Sequence, residues 1–372
     1  MNILFLDSIE RETYGGMEEW IRLVAGGLAS RGHRTMVAGR SGSEFLRRVS
    51  SHGVSILPLS ISGDFNPITI AQVKQVLVGN DIDLICVNFT KDIRLGGLAA
   101  RWRGPTKVIW SVGLDITKDS FSHRWFTPKL VDAVIVPSES LKRQITALEY
   151  VRPEYVRVIP IGIEESDEAV ATSAAGVSLR KMFRLPPDAI VAVTVGRLVE
   201  QKGHATLIDA LPAILQKAPH LFCLFLGDGP LEPHLRARAT ALGVTQHLVF
   251  GGMVDDVAPV IAGSDLMIHP SVEEPFGIAL LEGMRAGLPI VASHVGGIPE
   301  VVGIEGGARL VEAGNPSALA GAVTDMLEDR EDMRRAGEKN RQRFLAHFLL
   351  ARMIDSVESA FRAIAQVEPQ HG

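Results

Sequence analysis

The segment Ser271-Val272-Glu273-Glu274-Pro275-Phe276-Gly277-Ile278-Ala279-Leu280-Leu281-Glu282-Gly283-Met284-Arg285-Ala286-Gly287-Leu288-Pro289-Ile290-Val291-Ala292-Ser293 reads as one strand-to-strand unit of an α/β protein. An apolar run ending at His269-Pro270 precedes it as a strand. Residues 276–285 carry the helical pattern, Gly287 stops it, and Pro289 leads into the next strand. The amides opening such a helix have no intrahelical acceptors, so the N–H groups of Phe276, Gly277 and Ile278 form a candidate anion site. Gly277 lets a phosphate approach without a Cβ in the way. Glu274 stands in the loop just ahead of this site, and Glu282 sits about two turns into the helix. Taken alone, each glutamate reads as a helix-dipole acid or a solvated charge. Glu282, however, lies among Leu280, Leu281, Gly283 and Met284, which sets a carboxylate into an otherwise apolar helix.

The same alternation of apolar runs and amphipathic segments extends in both directions. Strands are expected at 190–195, 222–226, 247–250, 266–268, 290–292 and 308–310 in the second half. In the first half they are expected at 3–6, 34–38, 55–57, 84–87, 107–112, 133–136 and 156–159. Most are continuously apolar, as parallel strands covered on both faces require. A helix is expected over 18–30, with Trp20, Leu23, Val24 and Leu28 on its buried face, and a last helix over 344–365. Between the halves, Glu164-Glu165-Ser166-Asp167-Glu168 and the small residues that follow read as a linker across 164–178. The fold class is therefore α/β, with two doubly wound, Rossmann-like domains facing across a cleft where a ligand binds.

Composition narrows the class. With 372 residues, two domains are the natural expectation. A net charge of −5 argues against a nucleic-acid partner. Cys86 and Cys223 sit in strand-like runs and read as reduced, buried thiols of a cytoplasmic protein. The short apolar N-terminus lacks a basic region and reads as a first strand rather than a signal peptide. No apolar stretch approaches the length of a membrane span, which leaves peripheral docking on a membrane open.

A second constellation follows the first strand of the second half: Gly196-Arg197-Leu198-Val199-Glu200-Gln201-Lys202-Gly203. Strand-end loops carry ligands in doubly wound sheets, so Arg197 and Lys202 are placed to neutralise a diphosphate and its developing charge. The plainer alternative is two solvated loop charges. Gly227-Asp228-Gly229 and Gly251-Gly252-Met253 close later strands, and Tyr14-Gly15-Gly16-Met17 follows the first strand of the chain; each alone is a common turn.

Glu274 and Glu282, separated by seven residues within Glu-Pro-Phe-Gly-Ile-Ala-Leu-Leu-Glu, resemble the paired-glutamate motif of family 4 retaining glycosyltransferases with the GT-B fold. The likeness is strong over 196–302, looser before Pro137, and touches nearly the whole chain. It implies that Glu274 meets hydroxyls of a donor sugar, that Glu282 binds the ribose, and that Phe276, Gly277 and Ile278 hold sugar and diphosphate. It likewise implies a diphosphate clamp at Gly196, Arg197 and Lys202, base-side contacts at Asp228 and Met253, and a glycine-rich loop at Gly15 and Gly16. The donor would be a UDP-, GDP- or ADP-sugar, UDP first among them, with no metal and no other cofactor. Domains of 1–164 and 165–344 are implied, with 345–372 packing back on the first. The acceptor would be a carbohydrate or lipid-linked glycan of the cell envelope.

Two positions depart from the family pattern. In Ser111-Val112-Gly113-Leu114-Asp115, Val112 stands where the family often has a histidine, and Ile161 stands where asparagine is common. Val112 keeps open a catalytically inactive, sugar-nucleotide-binding subunit, and a nucleotide-sugar 2-epimerase would share the fold. A dehydrogenase is excluded because Gly15-Gly16 lacks the dinucleotide glycine spacing. Asp81 and Asp83 precede a strand, at the end away from the expected site, and read as strand-start residues rather than metal ligands. Lys91 and Arg94, with Lys118, His123 and Arg124, suggest an anionic or membrane-associated acceptor on the first domain; a solvated surface is the alternative.

Overall fold

Strands β4 (Leu84–Val87) and β6 (Ala133–Val136) are buried at every residue, as continuous apolar runs covered on both faces should be. The computed structural model describes residues 1–12, 14–50, 53–113, 121–166 and 172–366. Within these, the first sheet also contains β1 (Asn2–Asp7), β2 (Arg34–Arg40), β3 (Ser55–Leu59), β5 (Lys107–Ser111) and β7 (Val156–Val158). Its order is β3-β2-β1-β4-β5-β6-β7, with every pairing parallel. The second sheet contains β8 (Ile190–Val195), β9 (Leu221–Leu226), β10 (Leu248–Gly252), β11 (Leu266–His269), β12 (Ile290–Ser293) and β13 (Ala308–Val311). Its order is β10-β9-β8-β11-β12-β13, again parallel throughout. These are two doubly wound Rossmann-like sheets, and each expected strand is present.

The chain divides into two compact units: Met1–Ile161 together with the chain from Leu350 onward, and Gly162–Leu349. The helix Gly16–Ser30 buries Trp20, Ile21, Val24, Ala25 and Leu28 in the first. The C-terminal helix Leu350–Gln366 also belongs there. It buries Met353, Ile354, Val357 and Phe361, and the Phe361 ring lies 6.4 Å from that of Phe5 on β1. Arg31 donates to Glu358 at 2.9 Å and the His33 ring lies 3.0 Å from the same carboxylate, fixing the register of this helix.

Three expectations are corrected. The small residues near 172–176 open a helix, Ser173–Met182, rather than a linker. Thr172 caps it by accepting from Ala175 N–H at 3.1 Å, Leu179 is buried, and Arg180 donates to Asp265 at 2.6 Å. Short side chains there serve close packing, which composition alone reads as looseness. Of the acidic run, Asp167 and Glu168 lie outside the described residues. The expected 344–365 helix is two helices, Arg330–His347 and Leu350–Gln366. It breaks where the Phe348 carbonyl accepts from Ile163 N–H at 3.0 Å, which takes that carbonyl out of a helical ladder. The third correction is within residues 271–293, where the helix runs Ile278–Ala286 and so starts two residues later than its pattern suggests.

Cys86 and Cys223 are free and buried, and burial pushes both thiols up. Among the described residues no helix is long and apolar enough to cross a membrane.

Candidate active site

Strand order reverses beside the first strand of each sheet: β1 lies between β2 and β4, and β8 between β9 and β11. Loops leaving the C-terminal ends of strands on either side of such a switch diverge and open a crevice. In the second unit these loops are tied together by their backbones. After β11, Val272 N–H donates to the Gln201 carbonyl of the β8 loop at 2.8 Å. Leu198 N–H donates to Asp228 O at 2.7 Å, and Gly227 N–H to Gly252 O at 2.8 Å, which brings the loops after β9 and β10 alongside. Gly297 N–H, after β12, donates to Glu274 O at 2.9 Å. Backbone groups hold the frame, so the side chains upon it are available for chemistry. The join is tightest at Gly203, whose φ of +64° and approach to the Pro270 carbonyl both require glycine.

Glu274 is the electrostatic centre of this frame. It is only 6% exposed, and its Oε2 accepts from Lys202 Nζ at 2.6 Å, His269 Nε2 at 2.8 Å and Ser271 Oγ at 3.2 Å. Burial alone would raise the carboxyl, but the Lys202 ammonium and the His269 imidazole reverse that and hold it at about 2. Glu274 is therefore an ionised acceptor in a largely water-excluded place.

The other expected residues of the second unit are found in different states. Gly277, with φ +101°, caps the helix Ile278–Ala286, so Phe276 and Gly277 precede its first turn. The opening amides still lack intrahelical acceptors. Phe276 itself is buried, its ring 6.1 Å from that of Phe348. Glu282 is half-buried and accepts from Arg285, whose guanidinium also donates to Glu164 O at 3.0 Å. Glu282 is thus neither a solvated charge nor a lone carboxylate in an apolar helix. Arg197 is exposed and has no ion pair among the described residues. Gly196 continues the ladder through its N–H to Leu226 O at 2.9 Å, while Asp228 and Met253 point outward.

In the first unit, Gly15 caps the helix that opens at Gly16 and accepts from Glu19 N–H at 3.0 Å. Lys91 and Arg94 do not form an open cationic patch. Arg94 is buried and paired with Asp64, and Lys91 lies 4.0 Å from the same carboxylate. Asp64, thirty residues away in sequence, offsets the charge that a linear reading assigns to them. Lys118, Leu114 and Asp115 lie outside the described residues; Val112 continues β5 into the core and donates to Ile135 O at 2.9 Å. Asp83 accepts from Asn2 N–H at 2.7 Å at the opposite end of the sheet, consistent with a strand-start role. No group of three or more His, Cys, Asp or Glu suited to a metal occurs among the described residues.

Sequence reasoning did not single out His269 and Ser271, nor the buried carboxylates Asp7 and Asp92 at the switch point of the first sheet. Asp7 accepts from Asn88 at 2.8 Å, and Asp92 from Ser8 and Phe89 N–H groups at 3.3 and 3.0 Å. Burial, and for Asp92 the neighbouring Asp7, pushes both carboxyls up. For Asp7 and His269 the available signal was polarity at the last residue of an apolar strand; Asp92 instead stands in the first turn of the helix Thr90–Arg103. His204 was also missed. Its ring packs 5.0 Å from Phe225, neither nitrogen has a partner, and burial, aided by His269 and Lys202, lowers it from 6.5 to about 4. The fold thus favours neutral His204. Its contribution is complete above pH 6.5 and is lost as pH falls toward 4, on the order of 3 kcal/mol. Urea denaturation from pH 7 to pH 4 should show a shallower fall in stability for His204→Leu than for the wild type. Parallel curves would remove this assignment.

Two family models match the chain: one described as Glycosyl transferases group 1, over residues 178–343, and one described as Glycosyltransferase Family 4, over residues 14–167. An uncharacterized glycosyltransferase of Methanocaldococcus jannaschii is 34% identical over 199 residues, covering 53% of this chain and 51% of that protein. The GDP-mannose-dependent alpha-(1-6)-phosphatidylinositol monomannoside mannosyltransferase of Mycobacterium tuberculosis is 34% identical over 182 residues, 46% of this chain and 47% of that one. The chain therefore spans about half the length of these curated relatives. Among solved structures, Anabaena HepE in complex with UDP and glucose superposes with a TM-score of 0.87 at 22% identity, covering 98% of this chain and 100% of that one. That likeness establishes the shared GT-B fold.

Proposed function

The chain belongs to the family 4 glycosyltransferases of the GT-B fold, and from that premise we propose that it moves a hexose-type sugar from a nucleotide diphosphate sugar to a glycan or glycolipid acceptor, with retention of anomeric configuration and without a metal ion. The observation that carries this reading is the Lys202–Glu274 pair, with the carboxylate buried and the lysine half-buried, at the switch point of the second sheet, beside the opening amides of the helix Ile278–Ala286. A cation for the diphosphate and an ionised acceptor for sugar hydroxyls stand next to one another there. Arg197, unpaired among the described residues, supplies a second cation from the same loop.

In this mechanism the bond between the anomeric carbon and the diphosphate oxygen breaks as negative charge gathers on the leaving group. Lys202 and Arg197 stabilise that charge, and the opening amides of the helix add fixed dipoles. The acceptor oxygen bonds to the anomeric carbon on the face the diphosphate leaves, and the acceptor proton passes to a diphosphate oxygen. Glu274 orients the sugar through its hydroxyls.

The mycobacterial relative is named for GDP-mannose and the Anabaena structure holds UDP and glucose, so the donor base is an open choice in which UDP is tried first. A thermal-shift series with UDP, GDP, ADP and their sugars identifies it, since a ligand that binds the folded chain raises its melting temperature. Turnover with that donor should persist in EDTA and give a product of unchanged anomeric configuration by NMR. An inverted product, or activity abolished by EDTA and restored by a divalent ion, overturns the mechanism.

Glu282→Ala should weaken binding of the same nucleotide by about 1–3 kcal/mol, because a half-buried acceptor for the ribose is removed. Arg285 loses its partner in that variant, so calorimetry is read alongside a melting curve. Unchanged affinity refutes the ribose assignment.

A further inference from the structure

Three donors meet at Glu274, and all three reach one oxygen. Lys202 Nζ, His269 Nε2 and Ser271 Oγ lie 2.6, 2.8 and 3.2 Å from Oε2. Oε1 has no donor among the described residues. A buried carboxylate that needed only neutralisation would gain by spreading its donors over both oxygens. Here one oxygen is an anchor and the other is left for something else.

The anchors also differ in mobility. Lys202 ends a long flexible side chain that is 28% exposed, and its ammonium is the group the proposed mechanism assigns to the diphosphate. His269 is 2% exposed and is the last residue of β11, held in register with Ala292 of β12. Because Glu274 is ionised, the Nε2 position carries the hydrogen and donates it. The Ser271 hydroxyl, buried and 3.1 Å from that nitrogen, completes the set.

We propose that His269, assisted by Ser271, is a positioning residue that grips Glu274 by Oε2, so that Oε1 stays aimed at a donor-sugar hydroxyl after Lys202 turns to the diphosphate. This rests on the sugar-nucleotide reading above. Two of the three donors remain on Oε2 when the third leaves, so the carboxylate neither rotates nor takes up a proton as the donor binds. The grip concerns the sugar and not the nucleotide. That separates it from a purely structural role, which would weaken both.

The test compares calorimetric affinities for UDP and UDP-glucose, and for GDP and GDP-mannose, in the wild type, His269→Leu and His269→Gln. His269→Leu should leave the nucleotide affinity within about twofold and weaken the sugar nucleotide about tenfold or more, with turnover falling further. His269→Gln places an amide N–H near the position of Nε2 and should restore most of the sugar-dependent affinity. If the leucine chain does not fold, His269→Asn, whose amide is too short to reach Oε2, takes its place against glutamine. Sugar-nucleotide affinity unchanged in the leucine or asparagine variant overturns the inference. So does an equal loss for nucleotide and sugar nucleotide, or no rescue by glutamine. A wild type that binds none of the four probes overturns the sugar-nucleotide reading itself, and this inference with it.

Discussion

Lys202→Ala is expected to lower turnover by about 100-fold or more, the loss typical of removing one preorganised contact to charge that develops in a transition state. That corresponds to about 2.7 kcal/mol of barrier. Two effects add. In the proposed mechanism the departing diphosphate loses one of its two cations, and Glu274 loses the largest favourable influence on its ionisation. The charge of Lys202 is the largest single influence that holds this buried carboxyl down at about 2. Arg197→Ala should show only the first effect, since Arg197 makes no ion pair among the described residues. The comparison is made with saturating donor and acceptor, in EDTA. Turnover of Lys202→Ala within tenfold of the wild type would remove lysine from the reaction.

Gly203→Ala is expected to be a strongly damaging single-methyl change in the second unit. The residue has φ +64°, where a side chain costs about 1 kcal/mol or more. A Cβ there would also overlap the Pro270 carbonyl oxygen and lie 2.8 Å from its carbon. Neither backbone can yield easily, because Val272 N–H is bound to Gln201 O on the same seam. The sum is about 3 kcal/mol or more, a fall of roughly 10 °C in melting temperature for a unit of this size. Gly243→Ala provides the control. Its φ is +68° but open space surrounds it, so only the conformational part, about 1 kcal/mol, should appear. Equal losses in the two variants would show that the seam is soft.

Most of the fold was legible because short parallel strands are apolar at successive positions and bounded by turn residues. Leu84–Val87 and Ala133–Val136 are such runs, and their length and boundaries separate them from a buried helix segment such as the one that opens Ile278-Ala279-Leu280-Leu281. Small residues carry no such mark. Ala174, Ala175 and Gly176 look the same in a linker and in a helix packed closely, and only the burial of Leu179 with the Arg180–Asp265 bond distinguishes them. The candidate site was legible where a residue stands with its neighbours in sequence, as Glu274 does just ahead of the helix Ile278–Ala286. It was illegible where partners arrive from elsewhere. Asp64 reaching Arg94, Arg285 claiming Glu282, and His269 and Ser271 converging with Lys202 on one oxygen all depend on which loops the sheet order sets side by side.

The helix Leu350–Gln366 packs in the first unit, against β1 and beside the end of the helix Gly16–Ser30. During synthesis that unit therefore leaves the ribosome first and is completed last. The strands from β1 to β7 emerge, and the whole of Gly162–Leu349 follows, before the segment that covers Phe5 is made. At about 5–20 residues per second, the wait between Ile161 and Gln366 is roughly 10–40 s. Throughout that interval Phe5 and the apolar face around it wait for Phe361 to cover them.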